Sequence, residues 1–343
     1  MKAAIFHSAG KVTIANKQPP KCQDGEILLK VSYASLCASD IRVFKGEKKA
    51  TAGVTPGHEF SGFIVDMGEQ VKDFNIGDKV SLCPILSCGT CAFCIAGMRN
   101  RCEKRQTLGY DVDGGFAEYA LIPKEIIELN HLFKLSDNAN LKIAALVEPL
   151  ACVMNSIQSI NLQKEESLII IGGGPMGLMH GILAMHFGVS DITIIEPEKN
   201  RRDLAEFIGI NKVVEPKSDL VDFLNKNYSP EGYNKVILSV GITELVNVAL
   251  ALSKKKGVVN LFAGFPLGKD ALVDVNSIHY KELSVLGTQN ATLKNYLQIL
   301  EIIDDLNDID SLITNVYKLD QVPAAYEDRL NLKGVKSIID FTE

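Results

Sequence analysis

The run Leu168-Ile169-Ile170-Ile171-Gly172-Gly173-Gly174-Pro175-Met176-Gly177 joins four consecutive apolar residues to a cluster of glycines. Three isoleucines behind a leucine read as a buried strand, and Gly172 to Pro175 interrupt it before a helical stretch begins. Gly172, Gly174 and Gly177 satisfy the spacing G-x-G-x-x-G. In that spacing the first glycine permits a tight turn, the second lets backbone approach a pyrophosphate, and the third lets the next helix pack closely on the sheet. Pro175 and Met176 open the helix, whose unpaired N–H groups and positive dipole end would face the anion. Residues 167–190 carry no Lys, Arg, Asp or Glu and are numerous enough to span a bilayer. The glycines and proline inside them favour a strand turning into a helix instead.

A second apolar strand, Ile192 to Ile195, ends at Glu196, where an acidic residue can accept hydrogen bonds from an adenosine ribose. A carboxylate there repels a 2′-phosphate and favours NAD over NADP, although Arg201 and Arg202 a few residues on could host that phosphate. Further strands read at Val236 to Val240 and Val258 to Phe262, separated by helix-length segments such as Arg201 to Ile208 and Thr243 to Ser253. The alternation marks βαβ units and predicts an α/β, doubly wound parallel sheet over residues 151–286. From Lys2 to about Pro123, short β-rich runs such as Ile27 to Val31, Ser61 to Val65 and Lys79 to Leu82 predict a compact, barrel-like β region. After Leu286 come a helix-like stretch, Leu293 to Leu306, the run Val316 to Leu319, and a final strand, Lys336 to Asp340.

The 343 residues exceed what one hydrophobic core usually organises, and 46% hydrophobic with 23% charged residues is the balance of a folded globular chain. A formal charge of −6 has the wrong sign for a phosphate backbone, so nucleic acid is not expected as a partner, and the broken apolar segment 167–190 gives no membrane span, so no membrane is expected either. Met1 to Lys11 holds no long apolar stretch, so no secretory leader is expected and the expected compartment is the cytoplasm. There, eight cysteines point to metal or redox chemistry before disulfides. Cys88, Cys91, Cys94 and Cys102 form C-x2-C-x2-C-x7-C, a set of thiolates that can close a tetrahedron around zinc. An iron–sulfur cluster is the rival reading. The bacterial ferredoxin run ends with a three-residue gap and Pro, whereas this one has a longer gap and Glu103 follows, which favours zinc.

A second set is dispersed. Cys37 precedes Ala38-Ser39-Asp40, His58 and Glu59 follow Gly57, and Glu148 stands in the apolar run Ile143 to Ala151. A carboxylate in such a run is costly unless protonated, paired or bound to a cation. Thiolate, imidazole and carboxylate suit zinc, and three protein ligands leave a position for water or substrate. Zinc with Cys37, His58 and Glu148 is neutral overall, which favours ionising a bound hydroxyl; Glu59 as a further ligand would make the set anionic.

These residues, with Gly114-Gly115-Phe116-Ala117-Glu118-Tyr119 and Glu148-Pro149, occur in the order of the zinc-dependent medium-chain alcohol and polyol dehydrogenases, which the chain resembles over essentially its whole length. Glu148, where the alcohol branch has its second cysteine, resembles the sorbitol and galactitol-phosphate branch. The resemblance implies a GroES-like catalytic domain from residues 1–150 and 287–343, with a Rossmann NAD-binding domain, 151–286, inserted between. It also implies a homodimer or homotetramer and two zinc ions per chain, one structural and one catalytic. Cys37, His58 and Glu148 would hold the catalytic ion, with Glu59 either behind those ligands or alternating with one of them. Asp40 would orient His58, and Ser39 would accept the substrate proton. Family members often carry a His five residues after the ligand cysteine, and this chain has Arg42 there.

The implied activity is reversible hydride transfer between NAD(H) and a polyol or secondary alcohol. Sugar-phosphate dehydrogenases of the galactitol or arabitol phosphate type and threonine-type dehydrogenases are alternatives, and a zinc-thiolate redox-sensing protein is the non-enzymatic one. Tyr110 and Gly287-Thr288-Gln289-Asn290 are expected near the substrate if the resemblance holds. Asp111 and Asp113 make the loop after Gly109 acidic, which tilts the expectation towards an unphosphorylated substrate.

Overall fold

The computed structural model describes residues 1–342, which fall into two compact units. Residues 1–151, 291–305 and 313–342 make the first, and 152–290 with 306–312 the second.

In the first unit the strands lie in the order Ile313–Lys318, Lys336–Asp340, Ile27–Leu36, Glu59–Met67, Lys79–Leu82 and Leu132–Lys134, with Tyr119–Ile122 also pairing Ile27–Leu36. The central strand buries Ile27, Leu29 and Val31 with a period of two, and a register shift between Val31 and Tyr33 lets Ala34 and Leu36 continue the buried face. Across its two ladders Ser35 pairs with Glu59 and Leu36 with Ser337. Cys37, His58 and Lys336, the residues just past those pairs, therefore emerge together at one end of three neighbouring strands. A second tie fixes the approach to His58. Gly114, Gly115 and Phe116 donate backbone hydrogen bonds to the carbonyls of Thr55, Gly57 and Pro56 at 2.7, 2.8 and 2.9 Å. Gly57 sits at φ +93, and a Cβ there would come within 2.6 Å of the Phe116 ring. That interlock is the physical content of the two glycine-rich motifs. The hydroxyls of Ser61 and Ser81 donate to the carbonyls of Leu141 and Ala144 at 2.5 and 3.0 Å, anchoring the helical turn that precedes Glu148.

The second unit is built on a six-stranded, wholly parallel sheet in the order Lys212–Val214, Ile192–Ile195, Leu168–Ile171, Tyr233–Leu238, Ser253–Leu261, Ser284–Gly287. Leu168–Ile171 and Ile192–Ile195 are buried along their full lengths, as continuous apolar runs covered on both faces must be. The strand order reverses between Leu168–Ile171 and Tyr233–Leu238, and the glycine turn leaves the sheet at that point. The short strand Lys212–Val214 and the edge strand Ser284–Gly287 have little apolar signal in the sequence, and the expected helix to Leu306 ends earlier, at Ile302. Helix Pro175–His186 carries a fully buried His180, whose Nδ1 donates to the Met176 carbonyl at 2.7 Å. Its Nε2 then accepts from Ser156 Oγ at 2.8 Å, and Asn260 Nδ2 donates to the same hydroxyl at 2.7 Å. Burial pushes the His180 pKa down to about 4.

Two stability effects follow. Gly57→Ala forces a side chain into a left-handed backbone and into Phe116, so it should cost at least about 2 kcal/mol in urea unfolding. His180 is neutral when folded, and the unfolded ring binds its proton first as pH falls. Its contribution is therefore complete above pH about 6.5 and lost towards pH 4. Between pH 7 and 5 wild-type stability should fall by about 2 kcal/mol more than that of His180→Gln, measured by urea titration at both pH values.

Candidate active site and metal centres

Cys88, Cys91, Cys94 and Cys102 bring their four sulfurs within 4.8 Å of one another. Cys91 to Cys94 and Cys88 to Cys102 are 3.5 Å apart, and Cys88 to Cys94 is 4.0 Å. Four sulfurs at the usual zinc–thiolate distance are about 3.8 Å apart on a tetrahedron, so the spacing fits one ion, while a disulfide would need about 2 Å. A cluster with one thiolate on each of several irons would spread the sulfurs further. The backbone amides of Thr90 and Cys91 lower the Cys88 thiol to about 6, which suits a thiolate ligand.

At the strand ends of the same unit, ligand atoms of Cys37, His58 and Glu59 also lie within 4.8 Å of one another. Cys37 is the N-cap of helix Ala38–Phe44, and Asp40 Oδ2 accepts its backbone N–H at 2.9 Å, a capping-box contact that fixes both residues. Asp40 Oδ1 is 3.3 Å from His58 Nδ1, which turns that side of the ring towards the carboxylate and leaves Nε2 as the donor for a metal. Burial opposes a charge on His58, but the negative charges of Asp40 and Cys37 outweigh it and hold the pKa well above 6.5. Glu59 is fully buried. Its Oε2 accepts a 2.6 Å hydrogen bond from the buried ammonium of Lys336, and its Oε1 has no hydrogen-bond partner. An orphaned carboxylate oxygen beside a cysteine sulfur and an imidazole is the condition a bound cation relieves, so these residues fit zinc.

Glu148 stands outside that tight group, at the start of helix Val147–Ser159. Its charge nevertheless reaches the site, raising Tyr110 together with burial and the charges of Asp40 and Cys37. Tyr110 Oη is 2.6 Å from Ser39 Oγ and 3.5 Å from His58 Nε2, and Ser39 Oγ donates to Cys37 Sγ at 3.1 Å. The phenol stays protonated, so it donates to Ser39 while Ser39 donates to the sulfur. Arg42, in the position of the missing histidine, has Nε 3.6 Å from Glu47. Lys336 was not legible as a site residue. Its signal was a charge opening an otherwise apolar strand.

In the second unit the three motif glycines have separate duties. Gly172 takes φ +105, a Cβ on Gly177 would strike the Gly172 carbonyl, and a Cβ on Gly174 would meet no atom within 4 Å. Room at the second glycine is what a pyrophosphate needs, so the turn fits a dinucleotide. Pro175 opens the helix, with Gly174 as its N-cap and Met176 in its first turn. The Glu196 carboxylate accepts backbone N–H groups of Gly173 and Glu198 at 2.7 and 2.9 Å, and Arg201 lies 3.9 Å from it. Arg201 Nε and Nη2 are buried with no hydrogen-bond partner. Thr288 and Asn290 are tied within this unit, Thr288 Oγ1 accepting from Asn260 Nδ2 at 3.1 Å and the Asn290 carbonyl from Asn155 at 2.8 Å.

Residues 23–131 match the model of the alcohol dehydrogenase GroES-like domain, and residues 175–305 that of the zinc-binding dehydrogenase domain. The chain is 30% identical to a sorbitol dehydrogenase of Halalkalibacterium halodurans over 99% of both chains. It is 32% identical to a D-arabitol-phosphate dehydrogenase of Enterococcus avium over 94% of this chain and 91% of that one. A zinc-binding dehydrogenase of Sinorhizobium meliloti, solved with NADP, superimposes with a TM-score of 0.93 at 28% identity, covering 99% of this chain and 98% of its own. Among the described residues no helix is long and apolar enough to cross a membrane.

The Glu59–Lys336 pair makes a sharp test. Lys336→Met strands a buried carboxylate and should cost about 3–5 kcal/mol in chemical denaturation, whereas the double variant with Glu59→Gln should recover most of that loss.

Proposed function

We propose, for a chain that belongs to the zinc-dependent medium-chain alcohol and polyol dehydrogenases, that Cys37, His58 and Glu59 hold the catalytic zinc with Glu148 as a further or exchanging ligand. The chain is an oxidoreductase that uses zinc and a nicotinamide dinucleotide. The observation that carries the residue assignment is the unsatisfied Glu59 Oε1 beside the Cys37 sulfur and the His58 ring. When bound, zinc supplies Lewis acidity that eases loss of a hydroxyl proton, and the nicotinamide accepts the hydride.

The chain's own residues do the rest. Lys336 offsets the Glu59 charge, so Glu59 as a ligand does not make the set anionic. Asp40 orients His58 through Nδ1. Ser39, hydrogen-bonded to Tyr110 at 2.6 Å, is the hydroxyl suited to take the substrate proton. Cys88, Cys91, Cys94 and Cys102 hold the structural zinc.

Gly172, Gly174, Gly177, Pro175 and Met176 seat the pyrophosphate. Glu196 receives the adenosine ribose, since each of its oxygens has spent one lone pair on a backbone N–H and retains another. This favours NAD, while the free guanidinium nitrogens of Arg201 leave some room for NADP. Residues 1–150 and 287–343 would then carry catalysis and 151–286 the cofactor. The substrate is a polyol or secondary alcohol. A homodimer or homotetramer is supported by the edge strand Ser284–Gly287, which leaves Val285 exposed, and a cytoplasmic site by two clusters of unpaired thiols and other metal donors.

Metal analysis with an NAD-linked screen of alcohols and sugar alcohols tests the reading. Two zinc ions per chain are expected. Cys37→Ala should keep one and lose activity by at least 10³-fold while folded, and Cys88→Ser should lose the other. Undiminished turnover after complete demetallation would overturn the assignment. Glu196→Ala should raise the kcat/KM ratio of NADP to NAD at least tenfold.

A further inference from the structure

The acidic loop that tilts the sequence towards a neutral substrate is already spent on the fold. Asp111 accepts the backbone N–H of Thr107 at 2.9 Å. Asp113 accepts that of Thr55 at 2.7 Å and pairs with Lys17 at 2.7 Å. A positive charge stands beside the tyrosine of the candidate active site. The half-buried Lys48, held on the loop after helix Ala38–Phe44 by its backbone bond to the Arg42 carbonyl, places Nζ 3.6 Å from the centroid of Tyr110, the ring whose hydroxyl contacts Ser39 and His58. No carboxylate among the described residues lies within ion-pair distance of Lys48 or Arg105.

We propose that Lys48 forms an anion-binding part of the substrate site, so that the preferred substrates are polyhydroxylated compounds bearing a phosphate ester or a carboxylate. This rests on the reading of Cys37, His58 and Glu59 as the centre of reaction. The charge inventory supports it. Cys37, Asp40, Glu59 and Glu148 carry the negative charge around the centre, and a divalent cation with Lys336 nearly balances them. Lys48 then brings the sum to zero, so an incoming anionic oxygen meets no net repulsion and one unpaired ammonium. Burial lowers the Lys48 pKa, and the charges of Cys37, Asp40 and Glu148 work against that by raising it. A half-desolvated ammonium on an aromatic face still has its three N–H donors to offer, and an anionic oxygen is the partner that rewards them most.

The experiment compares a five- or six-carbon polyol, its terminal phosphate ester and the sugar acid of equal length, using zinc-loaded protein with NAD. Inorganic phosphate is tested in parallel as an inhibitor competitive with the neutral polyol. Wild type should favour at least one anionic compound over the neutral polyol by tenfold or more in kcat/KM, and the favoured arm identifies phosphate or carboxylate. Lys48→Met should cut that preference at least tenfold, mainly through KM, and raise the inhibition constant of phosphate. Lys48→Arg should retain both, and it serves also if Lys48→Met does not fold. Equal or better use of the neutral polyol by wild type, or equal losses on all substrates in Lys48→Met, would overturn the proposal while leaving the dehydrogenase reading intact. If none of the three is oxidised, the reading of the centre itself fails.

Discussion

The register of three adjacent strands governs this active site. Ser35 opposite Glu59 and Leu36 opposite Ser337 bring a thiol, an imidazole, a carboxylate and an ammonium from positions 37, 58, 59 and 336 to one end of a sheet. A slip by one residue would exchange the faces of every side chain beyond it, and burial of Ile27, Leu29 and Val31 on one face resists such a slip. Hydrophobic burial thus fixes the positions of polar groups that it does not touch. The cost is concentrated in Glu59 and Lys336, both almost wholly withdrawn from water, which tolerate burial because each meets the other at 2.6 Å.

The two units solve different binding problems by different means. In the first, side-chain charges are gathered and balanced around a small volume, and neutral hydroxyls of Ser39 and Tyr110 are interleaved where a proton must be held. In the second, backbone provides the recognition. A turn made of glycines leaves the sheet at the strand-order reversal, and Glu196, the candidate ribose acceptor, is pinned by the same backbone through Gly173.

Much of this was legible because the signals were local. The glycine turn, the strands Leu168–Ile171 and Ile192–Ile195, and the cysteine spacing each lie within a few tens of residues and carry their own geometry. The edge strand Ser284–Gly287 was not legible, since an exposed strand shows no buried face. Lys336 was missed because its partner is Glu59, and no pattern along the chain relates positions so far apart. Asp111 and Asp113 show the same limit from the other side. They are adjacent to Tyr110 in sequence, but Asp113 pairs with Lys17 and Asp111 accepts the Thr107 N–H, whereas Lys48, distant in sequence, lies on the Tyr110 ring.

The presence of two carboxylates, Glu59 and Glu148, near one cation site follows from the same accounting. Glu59 shares its charge with Lys336, and an oxygen drawn upon by an ammonium through the same carboxylate is a weaker donor to a metal. Glu148 comes from a helix start, where the dipole stabilises its ionised form, and from a segment anchored through Ser61 and Ser81. The two therefore differ in their partners and in their supports. Were both to serve one cation, as proposed, that inequality would let one carboxylate yield before the other.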